Sequence, residues 1–477
     1  MKTSDIILVV DLNGTLIRTD IFQEAFWSSF SKDWKTPFKV INLLSNDKVK
    51  IKENLDNLSE IDIRLLPYNK LVIEYIKQFN NNGGHTVLIT NNNINIAKKI
   101  ANYLGFFDEV HQYSSSRNLV GEKKRELLIS LFGKKKFNYI GSSQSDIPVW
   151  KNAFKAINVN ASNRLKKQCN NVNINNEHLE NNNSINTLLI YLQSLRPHQW
   201  LKNILVFFPM LASHKLTGSY FLESLFAFIS FSLISSSVYI VNDLLDLKAD
   251  RLHPRKNKRP FASGSIPINN GLILALILFI IGIFTTVLLN KSFLVILLSY
   301  FVITSAYSLF LKRKAFIDIC ALASLYTLRI IGGGTATHIE ISFWLLGFSI
   351  FIFLSLAAVK RQAEIVDLNK RRTSKIIGRN YGVDDLKMVR SIALITGFLS
   401  VLVIAAYINS PEVLILYSQP QILWALCCVL FYWLIKMILA ANNGKMHDDP
   451  LIYAIKDKIS QLVFIITIII ILLSVNF

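Results

Sequence analysis

Asn242-Asp243-Leu244-Leu245-Asp246-Leu247-Lys248-Ala249-Asp250 runs directly into Arg251-Leu252-His253-Pro254-Arg255-Lys256-Asn257-Lys258-Arg259-Pro260. The carboxylates of Asp243, Asp246 and Asp250 are spaced i, i+3, i+7, so a continuous helix would gather them within an arc of about 60°. The preceding run, Phe226 to Val241, is almost wholly apolar and reads as a membrane helix. Acids at the end of such a helix are costly unless they bind something. A cluster of hard oxygens suits Mg²⁺ shared with a phosphorylated ligand, and the basic run that follows supplies charge for phosphates. A solvated helix end followed by a positive loop would be the plain alternative, but it does not need four polar residues on helical spacing beside five cations.

Working outward, the chain of 477 residues changes character near residue 196. Before that point it reads as soluble; after it, long apolar runs recur to the end. The formal net charge of +20 lies largely in short loops between apolar runs. That distribution argues for membrane topology and anionic phosphate ligands rather than for nucleic acid. Cys169, Cys320, Cys427 and Cys428 form no C-x-x-C pair, so neither a metal knuckle nor a disulfide framework is expected. The N-terminal stub and Ile6–Val10 are too short for a signal peptide, which leaves the first domain in the cytosol.

Residues 1–165 read as an α/β domain with a parallel sheet. Short strands are expected at Ile6–Val10, Thr86–Ile89 and Phe137–Ile140, with helices at Leu71–Phe79 and Ile94–Leu104 between them. Residues 166–190, rich in asparagine from 169 to 186, read as a linker that leaves the two halves separable. The remainder, 191–477, reads as an all-α polytopic bundle of about nine membrane helices, the first and least regular near 200–213, with Pro209 inside it. Alternate loops are strongly basic. One set carries Lys248 to Arg259, Lys312 to Lys314, Lys360 to Arg379, and Lys445 to Lys458; the other has little beyond Lys215 and Lys291. The charge asymmetry places the acidic cluster on the cytoplasmic side of a plasma membrane, and an odd helix count places the C-terminus outside.

Polar islands recur at the cytoplasmic helix ends: Arg196-Pro-His198-Gln-Trp200-Leu-Lys202-Asn203; the acidic cluster; Tyr307 to Asp318 with Arg329 beyond; Lys360-Arg361-Gln-Ala-Glu364; and His447-Asp448-Asp449-Pro450. Acids and bases at one membrane depth suit a Mg²⁺–diphosphate site in which metal and cations stabilise departing pyrophosphate.

N-D-x-x-D-x-x-x-D with the later Tyr/Lys/Asp island resembles the UbiA prenyltransferase superfamily. The fuller pattern, with Arg196-Pro-His198-Gln-Trp200-x-Lys202-Asn203 and Lys360-Arg361-x-Ala-Glu364, is similar to its decaprenyl-phosphate phosphoribosyltransferase-like branch. The resemblance implies transfer of 5-phosphoribose from phosphoribosyl pyrophosphate to a polyprenyl phosphate with release of pyrophosphate. It implies that Asp243, Asp246 and Asp250 hold Mg²⁺, with Lys312 and Asp318 in the same catalytic set, and that Asn242 orients the metal. Lys202, Arg259, Lys312, Lys360 and Arg361 would clamp phosphates, with Asn203, Lys256, Tyr307, Arg329 and Glu364 completing the substrate contacts. The chain departs from many superfamily members in having a basic island, Lys360-Arg361, where a second acidic cluster is usual, and this suits a donor with an additional phosphate. The alternative is alkylation of an aromatic or other small acceptor by a polyprenyl diphosphate. A transporter or scaffold is disfavoured because the charges gather at one face rather than the midplane. Self-association is left open.

The first half resembles the haloacid-dehalogenase phosphatase superfamily over residues 5–160. Asp11 matches its nucleophile, Thr90 and Lys123 the middle motifs, and Asp146 one acid of the last. Two departures stand out: Asn13 replaces the general acid/base, and Ser142 stands where an acid usually holds Mg²⁺. Asparagine cannot shuttle a proton, a loss typically worth about 10²–10⁴ in rate. The domain is therefore expected to be a weak or inactive phosphatase.

Overall fold

The computed structural model describes residues 7–44, 61–91, 93–113, 120–180, 187–370, 381–446 and 449–475. The chain divides into two compact units, one of residues 1–194 together with 240–273, the other of 195–239 together with 274–477.

The first unit is built on a six-stranded parallel sheet: β1 (Ile7–Asp11), β2 (His85–Thr90), β3 (Glu109–Gln112), β4 (Phe137–Gly141), β5 (Lys155–Val159) and β6 (Asn176–Leu179), ordered β3-β2-β1-β4-β5-β6. Alternation along β1 sends Leu8 and Val10 into one apolar layer with Leu88 and Ile140, and Val9 into the other with Val87 and Tyr139. A sheet covered on both faces must be apolar on both, which is why the central strands read as unbroken hydrophobic runs. The expected strands and the helices Lys70–Asn81 and Ile94–Leu104 are present. Asp11 and Thr90 close adjacent strands at one end of the sheet.

Two expectations for this unit need correction. The stretch taken as linker carries the helix Asn163–Val172 and the edge strand β6, hydrogen-bonded to β5 through Asn158↔His178 and its neighbours. Its asparagines work rather than fill: Asn173 donates from Nδ2 to the carbonyls of Trp150 and Ala153 at 2.9 and 3.0 Å. Composition misses a strand this short because its alternation spans only four residues. The unit also takes in residues 240–273, from the membrane half of the sequence.

Among the described residues seven helices are long and apolar enough to cross a membrane: Gly218–Leu245, Ile268–Leu288, Lys291–Leu309, Ile317–Ala336, Phe343–Lys370, Val383–Ile408 and Pro420–Asn442. Pro450–Lys456 and Lys458–Ser474, bent by 87°, make an eighth if they form one span. The protein is an integral membrane protein. The expected first span is not among these long helices. Pro197–Phe207 is a 3₁₀ helix entered through Arg196 at φ 54°, followed only by the short helix Phe208–Ala212.

That 3₁₀ segment matters to the second unit. With three residues per turn, Trp200, Asn203 and Val206 fall in one row, and Asn203 and Val206 are fully buried. Gly332-Gly333-Gly334 on Ile317–Ala336 allows close approach: a Cβ on Gly333 would lie 2.0 Å from the Val206 carbonyl oxygen. One turn earlier on that helix sits Arg329.

Candidate active site

The acidic cluster belongs to the first unit. The helix Gly218–Leu245 ends just before Asp246, and a short helix, Leu247–Leu252, begins after it; Asp246 itself has φ −97°, ψ 12°. The break disperses the expected three-acid face. Asp243 (2% exposed) and Asp250 (3%) converge on one nitrogen, Nη1 of Arg259, which donates to Asp243 Oδ1 at 3.1 Å and Asp250 Oδ2 at 2.6 Å. Asp246 is half-buried and accepts from Asn242 Nδ2 at 3.1 Å. Among the described residues no three acidic, His or Cys side chains gather around one point. The donor chemistry still fits Mg²⁺, because two buried carboxylates already aim at a single cationic position. Lys256 is exposed.

The second unit gathers a set of cations around one carboxylate. Lys202 and Lys360 both donate to Oδ2 of the buried Asp449, at 2.7 and 2.9 Å, and Tyr326 donates to its Oδ1 at 3.1 Å. Arg329, 3% exposed, donates from Nε to Asn203 Oδ1 at 2.7 Å, from Nη2 to Tyr300 OH at 2.8 Å, and from Nη1 to the Leu325 carbonyl. Among the described residues it meets no carboxylate. Serines of Gly218–Leu245 hold this array. Ser232 accepts from Asn203 Nδ2 at 3.0 Å, Ser235 pairs with Tyr300 at 2.9 Å, and Ser236 accepts from Trp200 Nε1 at 2.9 Å. Two buried cations, Lys202 and Arg329, and the partly exposed Lys360 thus gather near the buried Asp449, Lys202 and Arg329 over the same Tyr326 ring, a concentration of positive charge that suits an anionic ligand.

Arg361 and Asp318, expected as a phosphate clamp and a member of the catalytic set, are occupied otherwise. Both are fully buried and joined through Arg361 Nε, with Tyr381 OH on the second Asp318 oxygen; Arg361 also donates to Glu364 at 2.6 Å and to Tyr307 OH at 2.7 Å. A guanidinium with two carboxylates has little left for a substrate. Lys312 lies on the 3₁₀ turn Leu311–Arg313, half-buried. Asp449 is the main residue that sequence reading undervalued. It stood in the last polar island, but nothing in a run of acids says which one is buried between two lysines. His447, Asp448 and the cations from Arg371 to Arg379 lie outside the described residues.

The sheet has a charged centre of its own. Lys124 (1% exposed) donates to Asp11 Oδ2 at 3.0 Å, Asp146 Oδ1 at 2.7 Å and Tyr139 OH at 2.9 Å. Lys124, not the expected Lys123, is thus the lysine that joins Asp11 and Asp146; spacing alone did not decide between neighbours. Burial lifts Asp11 to about 6 against the pull of Lys124, while Asp146 stays below the usual range because Lys124 and the Ser143 backbone outweigh its burial. Asn13 is committed to structure: its Nδ2 donates to Asn91 at 3.1 Å and its Oδ1 accepts from the Ile21 N–H at 3.3 Å. Ser142 Oγ accepts from Thr15 at 3.0 Å. Gly14 at φ 71° makes the turn between them.

Residues 204–451 match the model of the UbiA prenyltransferase family, and the chain belongs to that family. Among its relatives, the uncharacterized protein y4nM of Sinorhizobium fredii is 32% identical over 95% of this chain and 88% of its own length. Decaprenyl-phosphate phosphoribosyltransferase of Mycolicibacterium smegmatis is 30% identical over 57% of this chain and 88% of its own. For the sheet, phosphoserine phosphatase in its apo form superposes with a TM-score of 0.28 at 16% identity, covering 37% of this chain and 94% of that one.

Proposed function

We propose that this membrane transferase moves 5-phosphoribose from phosphoribosyl pyrophosphate to a polyprenyl phosphate, at a cytoplasmic-facing site. The observation that carries the reading is the gathering of cations: Lys202 and Lys360 on one oxygen of Asp449, and the buried Arg329, which meets no carboxylate among the described residues. A prenyl diphosphate donor with a neutral acceptor brings one phosphorylated group; phosphoribosyl pyrophosphate with a lipid phosphate brings three, and the cation array suits the second case. In the transfer, the bond from the anomeric carbon to pyrophosphate breaks, its electron pair leaves with pyrophosphate, and a lipid phosphate oxygen bonds to that carbon.

Asp243 and Asp250, with Asp246 and Asn242 beside them, would hold Mg²⁺, which when bound supplies positive charge to the pyrophosphate. Arg259 keeps the two carboxylates aimed and neutralised until substrate arrives. Lys202 and Lys360 are held ready by Asp449 to meet phosphate oxygens, and Arg329 is kept planar and oriented by Asn203 and Tyr300. The sheet is read as a degenerate phosphatase, because Asn13 carries no proton and Ser142 no charge.

Membranes carrying the full chain, given labelled phosphoribosyl pyrophosphate and polyprenyl phosphate with Mg²⁺, should form a labelled lipid, and Asp243→Asn should not. Label incorporated only from a polyprenyl diphosphate into an aromatic acceptor would replace this reading with the alkylation alternative.

A further inference from the structure

We propose that the soluble sheet positions the acidic cluster, acting through Glu24 and Arg251. Glu24 lies on the helix Ile21–Lys32 and is 6% exposed. Its carboxylate takes two parallel bonds from the Arg251 guanidinium, Nη1 to Oε2 at 3.0 Å and Nη2 to Oε1 at 2.7 Å, across 227 positions of sequence. The remaining face of the fork is used too, with Nε donating to the Ala262 carbonyl at 3.0 Å. Arg251 directly follows Asp250, and Ala262 lies three residues beyond Arg259. One guanidinium thus brackets the Asp250–Arg259 pair from both sides in sequence and ties both ends to the soluble domain.

A second contact, independent of the ion pair, lies in the same loop. Gly264 sits at φ 70°, and a Cβ there would come within 2.8 Å of Arg18 Cβ and 3.1 Å of the Pro67 ring. Lys248 is also within electrostatic reach of Asp62. The loop has little structure with which to orient itself. Its helix Leu247–Leu252 is six residues long, and the 3₁₀ turn Lys256–Lys258 has no buried residue. A bidentate arginine–carboxylate pair fixes direction as well as distance, and a buried pair serves uniqueness of arrangement better than net stability. Arg251, which sequence reading counted among charges available to phosphates, is therefore a positioning residue, and so is Glu24.

The proposal rests on the reading that Asp243 and Asp250 serve the transfer, so its test includes a measurement that needs no substrate. In the full chain, hydrogen exchange of residues 246–266 is compared with transfer for Glu24→Gln, Glu24→Arg, Arg251→Glu and the Glu24→Arg/Arg251→Glu swap. Either charge reversal is expected to speed exchange across the loop by about tenfold and to lower kcat by about tenfold, with KM nearly unchanged. Glu24→Gln should fall between, and the swap should recover much of both. Unchanged exchange in the single variants, or a swap that restores neither property, would overturn the clamp. Faster exchange with transfer untouched would overturn its positioning role. The expected exchange pattern in a chain that forms no phosphoribosyl lipid would instead uphold the clamp and count against the proposed reaction.

Discussion

Lys360 and Arg361 are neighbours in sequence with opposite fates. Lys360 shares one oxygen of Asp449 with Lys202, whereas Arg361 is locked between Asp318 and Glu364. Lys360→Ala is therefore expected to raise the KM for phosphoribosyl pyrophosphate by about tenfold or more, the worth of one charge-assisted contact. Arg361→Ala should act on folding instead. It leaves Asp318 buried and unpaired, at a cost of about 3–5 kcal/mol, which a lowered unfolding midpoint in detergent will register before any change in KM does. Asp11 offers a pH test. Its folded pKa is raised to about 6, chiefly by burial, above the ordinary carboxyl value of about 3.9. As pH climbs through that window the unfolded chain releases its proton first, so this group subtracts stability that is intact at low pH. Asp11→Asn should accordingly raise the unfolding midpoint of the sheet at pH 7.5 and leave it nearly unchanged at pH 4. Which charged residues pack together was legible where a motif fixes one position, as for Asp11 beside Lys124 or Asp243 beside Arg259. It was not legible where neighbours of the same type compete, as with Lys123 and Lys124, because burial depends on which of the two faces inward.

At the scale of elements, apolar runs of membrane length located the seven long helices, since hydropathy is a local property, but not the polar extension of Phe343–Lys370 beyond Val359. The 3₁₀ segment Pro197–Phe207 and the break at Asp246 were not local in this sense. The first depends on close packing against Gly333 and the second on capture of Asp243 and Asp250 by Arg259. The helix periodicity that grouped three acids was sound arithmetic applied to a helix that stops before the second and third of them. Gly333→Val tests the packing claim. A side chain there must push Ile317–Ala336 away from Val206 and so draw Arg329 from Asn203. Transfer is expected to fall by about tenfold or more, as reactive geometry tolerates about 1 Å of error poorly, while membrane insertion, read by fractionation, should persist.

For the whole molecule, the family and the two-part composition were readable from motifs, but the partition was not. Sequence order places residues 240–273 in the membrane half; contacts such as Glu24–Arg251 place them with the sheet. A chain starting near Ser184 is thus expected to insert into membranes yet transfer at least about tenfold more slowly than the full chain, as measured with the labelled-lipid assay. Asn13→Asp with Ser142→Asp should raise hydrolysis of model phosphate esters by the full chain, by about tenfold or more, because a proton shuttle and a metal ligand return beside Asp11. No gain would mean that the Lys124–Asp11–Asp146 centre is no longer built for phosphoryl chemistry.

A unit assembled from residues 1–194 and 240–273 also sets an order of birth. Its sheet leaves the ribosome complete in strands, but the piece that Glu24 grips is not made until the chain has been extended to Ile273. At ordinary synthesis rates that interval is roughly 4–16 s. During it Glu24 is without Arg251. A nascent chain arrested before Arg251 should therefore show a protease-sensitive Ile21–Lys32 that closes only when translation resumes.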